Sequence, residues 1–92
     1  VLGWRTYTTA RGELRSVELA DGSVVHINTQ SRIDVNLSPR AREVRLVGGE
    51  ALFKVQRDTT RPFLVYSGNA VIQAIGTQFN VRLQQTDTTV SV

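Results

Sequence analysis

His26 is the only histidine, so any nucleophile–base pair built on imidazole must use it. It stands between Val25 and Ile27, on the polar phase of an alternating run, where a solvated strand residue is the expected reading. No second histidine lies at metal-ligand spacing, and the chain has no cysteine. Disulfide frameworks, cysteine zinc sites and thiol nucleophiles are thereby removed together. The acids are scattered as Asp21, Asp34, Asp58 and Asp87 with Glu13, Glu18, Glu43 and Glu50. Glycoside hydrolysis needs two carboxylates flanking one bond, and nothing singles out such a pair. The phosphate-cradling glycine motifs are missing, as is any strand–loop–helix unit to carry them. Asn36-Leu37-Ser38 fits a glycosylation sequon, but Pro39 follows it. These residues predict a non-enzymatic chain that uses no cofactor and no metal.

The charge balance suggests a different chemistry. Eleven cations, of which Lys54 is the single lysine, face eight acids, for a formal net charge of +3. Small basic β domains bind single-stranded nucleic acid by stacking bases on exposed aromatics beside a cationic groove. Here Phe53, Phe63 and Phe79 fall in phase with Val55, Val65 and Val81, which predicts core positions. Only Trp4, Tyr7 and Tyr66 are left free to be exposed. Arg32 shares a face with Asp34 and Arg45 with Glu43, the pattern of cross-strand charge pairs rather than a phosphate stripe. Arg40, Arg42 and Arg45 make the best remaining basic patch. Nucleic-acid binding is therefore the alternative, and a protein-interaction module the leading reading.

The elements that position these groups follow from the pattern. Ninety-two residues, 40% of them hydrophobic, suit one domain over residues 1–92. No apolar run is long enough to span a bilayer, and no signal-peptide pattern opens the chain. Period two runs throughout: Val17 and Leu19, Val25 and Ile27, Ile33 to Leu37, Val44 and Leu46, Ala51 to Val55, Phe63 and Val65, Phe79 to Leu83. Leu52 is an apolar intruder, and Val71 to Ile75 break strict alternation, which predicts burial on both faces or a bulge. Asp21-Gly22 and Gly48-Gly49 read as two-residue hairpin turns with positive φ at both positions. Ser67-Gly68-Asn69 marks a third turn, and Pro39 and Pro62 mark longer loops. The predicted fold is all-β, a small antiparallel sandwich or roll of about eight to ten short strands, with a short β-solenoid as the alternative. Val1-Leu2-Gly3-Trp4 leads into no helix and Thr89-Val90-Ser91-Val92 stops in mid-pattern, so we expect a piece of a longer protein.

Specific strings go further than the pattern. Leu19-Ala20-Asp21-Gly22-Ser23 comes first, then Gly49-Glu50-Ala51-Leu52-Phe53-Lys54-Val55. Arg61-Pro62-Phe63-Leu64-Val65 and Gly76-Thr77-Gln78-Phe79-Asn80-Val81 follow. In this order and spacing the chain, from about Tyr7 to Val92, resembles the periplasmic domain of FecR-type regulators. These are inner-membrane regulators of sigma factors in bacterial iron-uptake signalling. The resemblance implies a single-pass membrane anchor and a cytoplasmic sigma-factor-binding segment, both outside this chain. It also implies a signal received in the periplasm from the signalling domain of an outer-membrane TonB-dependent siderophore transducer. Trp4 and Tyr7 would lie nearest the bilayer. The matched residues Asp21, Gly22, Gly49, Glu50, Phe53, Pro62, Phe63, Gly76, Thr77 and Phe79 read as architectural, and no partner contact is carried over. Self-association is expected through a free strand edge, Thr89–Val92 foremost.

Overall fold

Alternating apolar and polar residues fold into nine strands and no helix in the computed structural model, which describes residues 3–92. They are β1 (Arg5–Thr8), β2 (Arg15–Glu18), β3 (Val24–Ile27), β4 (Arg32–Leu37), β5 (Arg42–Lys54), β6 (Phe63–Ser67), β7 (Ala70–Ala74), β8 (Gln78–Gln84) and β9 (Asp87–Ser91). Val1 and Leu2, part of the apolar opening noted above, lie outside the described residues. The all-β expectation holds, and β5 organises it. The first half of β5 lies in a front sheet of order β1-β4-β5-β6-β7, and its second half in a back sheet of order β2-β3-β5-β8-β9.

Gly48-Gly49 therefore does not make the predicted hairpin. The strand continues for 13 residues and folds over at Gly49, whose φ is +87°. The two halves do not pair with each other. They diverge into opposite sheets, and the fold-over is sharp enough for the Arg42 guanidinium to reach the Gln56 carbonyl at 2.7 Å. Fourteen extended residues would otherwise span roughly 46 Å. Gly49 is required for a second reason: a Cβ there would stand 2.7 Å from the Ser31 Cα. The Ser31 hydroxyl locks the crossing by accepting the Glu50 N–H at 2.9 Å.

Because β5 ends in the back sheet, the chain must return to the front before β6 can form. It does so through residues 55–62, and β6 then pairs parallel with the start of β5, Arg42 opposite Phe63. This is the one departure from antiparallel pairing among the described strands. The Asp21-Gly22 turn also differs in detail, since only Gly22 takes positive φ, at +91°. The Gly22 N–H donates to the Leu19 carbonyl at 3.0 Å, so the turn centres on Ala20-Asp21 with glycine closing it as a bulge.

The inner faces of both sheets meet in one core. Phe53, Phe63 and Phe79 are buried as predicted, with Phe53 stacked on Phe79 at 5.4 Å and edge-on to Phe63 at 6.2 Å. One seam of the sandwich is sealed where Thr88 Oγ1 donates to the Ser67 carbonyl at 2.8 Å. Across the other, the Arg15 guanidinium covers the Tyr7 ring at 5.2 Å. The irregular Val71–Ile75 stretch is neither doubly buried nor bulged. It is the edge strand β7, with Val71 exposed, Ile72 half-buried and Ala74 buried, and the chain bends at Ile75. Leu52 is half-buried on the outer face of the back sheet.

Candidate interaction surface

Arg42 was expected in a surface patch with Arg40 and Arg45; the structure buries it completely. Its position on the phase of Val44 and Leu46 forces this, because alternate residues of a strand share a face. Burial of a cation demands partners. Nη1 donates to Asp21 at 2.8 Å and to the Gln56 carbonyl; Nη2 donates to the Arg61 carbonyl at 3.1 Å, and the guanidinium lies 5.3 Å from the Phe63 ring centroid. Asp21 is almost as buried, and it also accepts from the hydroxyl and N–H of Ser23. Burial pushes its carboxyl upward, but the hydrogen bonds from Arg42 and Ser23 outweigh that and hold it below its usual value. This cluster ties the β2–β3 turn to the long return loop. It is a structural clamp, not an accessible site.

Several matched residues gather at the same end. The Pro62 carbonyl accepts the Arg42 N–H at 2.8 Å and the Thr77 carbonyl accepts the Val55 N–H at 2.8 Å. Gly76 lies against Arg57, where a Cβ would come within 2.8 Å of its Cα. Nearby Asp58 is held down at about 2 by the hydroxyl and N–H of Thr60 and by Arg61. Glu50 belongs elsewhere: on the outer face of the back sheet it accepts from Asn28 at 3.1 Å and Asn80 at 2.6 Å.

His26 shares that outer face, with its Nδ1 2.7 Å from the Ser16 hydroxyl. The register explains the contact, since Ser16 and His26 are direct cross-strand partners. Among the described residues no carboxylate contacts the imidazole to orient it as a base. The same residues contain no cluster of three or more histidine, cysteine or carboxylate side chains suited to a metal.

The outer face of the front sheet is different in kind. A row of facing residues crosses it as Thr6, Asp34, Arg45, Tyr66 and Val71. Trp4, 41% exposed, stacks under the Arg45 guanidinium at 4.3 Å from its ring centroid. The Tyr66 hydroxyl donates to Glu43 at 3.3 Å, and burial together with Glu43 pushes its phenol upward. With Val47, Leu83 and the β8–β9 turn at Gln85-Thr86, these residues line an open groove of about 500 Å³. Trp, Tyr and Arg are the side chains most enriched where proteins bind one another tightly. Here two of them are already held by each other, which lowers the ordering cost of a contact. A larger groove of about 830 Å³ follows the β1–β2 seam past Tyr7, Leu19, Val35 and Leu37. Sequence reasoning left Trp4 and Tyr66 free but did not connect them to Arg45. Their phase puts Arg45 and Tyr66 on the polar faces of their strands, but only the register makes them neighbours.

A family model described as FecR protein matches residues 5–92. Two solved structures of a putative anti-sigma factor from Parabacteroides distasonis share the fold, each with a TM-score of 0.88. One is 34% identical and covers 97% of this chain and 43% of its own. The other is 35% identical and covers 96% of this chain, again with 43% of its own. This chain thus spans less than half the length of those solved chains. No curated protein matches it. The chain belongs to the FecR family.

Proposed function

We propose that this FecR-family chain is the periplasmic signalling domain of a membrane-anchored anti-sigma regulator. In this reading it receives siderophore status from the signalling domain of an outer-membrane TonB-dependent transducer. The response passes through a single membrane helix to a cytoplasmic segment that binds an extracytoplasmic-function sigma factor. The observation that carries the reading is the family match over residues 5–92, supported by likeness to chains described as anti-sigma factors. No helix among the described residues is long and apolar enough to cross a membrane, so the anchor would belong to the longer protein.

The geometry favours protein contact over chemistry. The clamp at Arg42 is sealed and the Ser16–His26 pair is a cross-strand contact, whereas Trp4, Arg45 and Tyr66 offer a pre-arranged aromatic and cationic surface. We place the transducer contact on that surface. The burial of Arg42 counts against the single-stranded nucleic-acid alternative, because it breaks the Arg40–Arg42–Arg45 patch.

Titration calorimetry of the chain against the periplasmic signalling domain of its transducer tests the placement. Trp4→Ala and Arg45→Ala should each weaken binding by roughly tenfold or more, the loss typical of interface anchors. Their melting temperatures should stay close to that of the parent chain. Unchanged affinity in both variants rejects the surface, and absent binding by the parent chain rejects the relay.

A further inference from the structure

Four strands are paired on one side only among the described residues: β1 and β7 at the front, β2 and β9 at the back. Three of them carry charge, namely Arg5 on β1, Arg15 and Glu18 on β2, and Asp87 on β9. β7 carries none. It reads Ala70-Val71-Ile72-Gln73-Ala74 and lies within a run free of charged residues from Pro62 to Val81. It contains no proline, and its register with β6 runs unbroken from Ser67↔Ala70 to Phe63↔Ala74. Sheet edges are ordinarily blunted by charges, prolines or bulges, because an open ladder recruits other strands. β7 has none of these protections. Two of the large exposed apolar side chains also lie on it or just beyond it, Val71 at 59% and Ile75 at 54%. The strand that follows it, β8, is committed to the opposite sheet.

We propose that β7 is a docking edge that pairs antiparallel with β7 of a second copy of this chain. The occupant follows from chemistry. An edge without ionic groups offers nothing to a charged strand, and its complement is another neutral, β-branched one. About a two-fold axis at Ile72, Ile72 meets Ile72, Val71 meets Gln73, and Ala70 meets Ala74. No like charges oppose each other. Ile72 already packs against the core, so the pair joins the two cores at their rims. The row Thr6, Asp34, Arg45, Tyr66 and Val71 then continues through Gln73 of the second copy into one ten-stranded sheet bearing both docking faces. Five residues a side bury far less than the ~800 Å² per partner of a standard interface, so the dimer is weak and depends on concentration.

Sedimentation velocity on the chain from about 10 µM to about 1 mM spans the range where so small an interface should assemble. The mass is expected to rise from one chain toward two. Val71→Lys/Gln73→Lys sets lysines directly opposite each other twice and should remove the rise; Val71→Glu/Gln73→Glu should do the same. An equimolar mixture of the two variants should restore it, a readout that misfolded chains cannot give. Three outcomes overturn the proposal: a parent chain that stays monomeric throughout, a lysine variant that associates like the parent, or a mixture that remains monomeric.

Discussion

At the scale of the residue, the sharpest consequence concerns the Arg42–Asp21 pair. Both groups are out of water, so removing either leaves the other charged and unmatched. Asp21→Ala and Arg42→Met should each lower stability by about 3–5 kcal/mol, measured by urea denaturation. The double variant should cost clearly less than the sum, because most of each single loss is the stranded partner. Acid should act on the same pair. Asp21 is held below its ordinary value of 3.8, so the folded state binds its proton less readily than the unfolded state. Its stabilisation is therefore complete above about pH 4 and fades as pH falls through the lower folded value. The parent chain should lose melting temperature steeply on acidification below about pH 4, and Asp21→Asn should flatten that part of the curve. A parallel decline in both proteins would assign the acid response to other carboxylates, with Asp58, held at about 2, the first to consider.

At the scale of the element, everything depends on how one long strand serves two sheets. Gly49 combines a φ of +87° with the close approach of Ser31, whereas Gly12 has a φ of +81° and open space around it. Left-handed backbone costs a non-glycine residue about 1–2 kcal/mol, and overpacking adds about 1–3 kcal/mol. Gly12→Ala should show only the first cost and Gly49→Ala both, a difference that parallel melts would resolve. Equal losses would mean that the chain at Ser31 yields around Gly49. The same glycine shows why part of the fold was legible and part was not. Alternation gave the strands and put Phe53, Phe63 and Phe79 inside, because burial on one face imposes period two. It could not tell a turn within a sheet from a crossing between sheets, since both want glycine and both interrupt the pattern. Once Gly48-Gly49 was read as a hairpin, the parallel β5–β6 pairing was hidden as well. Arg42 shows the complementary limit. Its phase with Val44 and Leu46 points inward, against the surface patch expected of it, and its partners come from loops distant in the chain. The Trp4–Arg45 contact was out of reach for the same reason, because a strand pattern assigns faces but not neighbours across strands.

At the scale of the whole molecule, the two sheets should not unfold separately. They share β5, and Phe53 of the back sheet touches both Phe79 in its own layer and Phe63 in the front layer. A chain of 92 residues has few kilocalories of net stability to distribute, so the loss of a shared contact is felt everywhere. Phe53→Ala should cost about 3–5 kcal/mol, as large-to-small changes in a close-packed core do. The pattern of loss matters more than its size. Amide hydrogen exchange measured strand by strand should show β4 and β6, in the front sheet, losing protection by the same factor as β3 and β8 in the back. A shared β5 makes the opening of either sheet expose the inner face of the other, so partial unfolding gains little entropy for the apolar surface it uncovers. Protection retained in the front sheet while the back sheet exchanges freely would instead mean that the layers open independently. The proposed docking face on the front sheet could then stay folded over a loosened back layer, and under the proposed function a signal arriving there would have no rigid path through β5 to the rest of the domain.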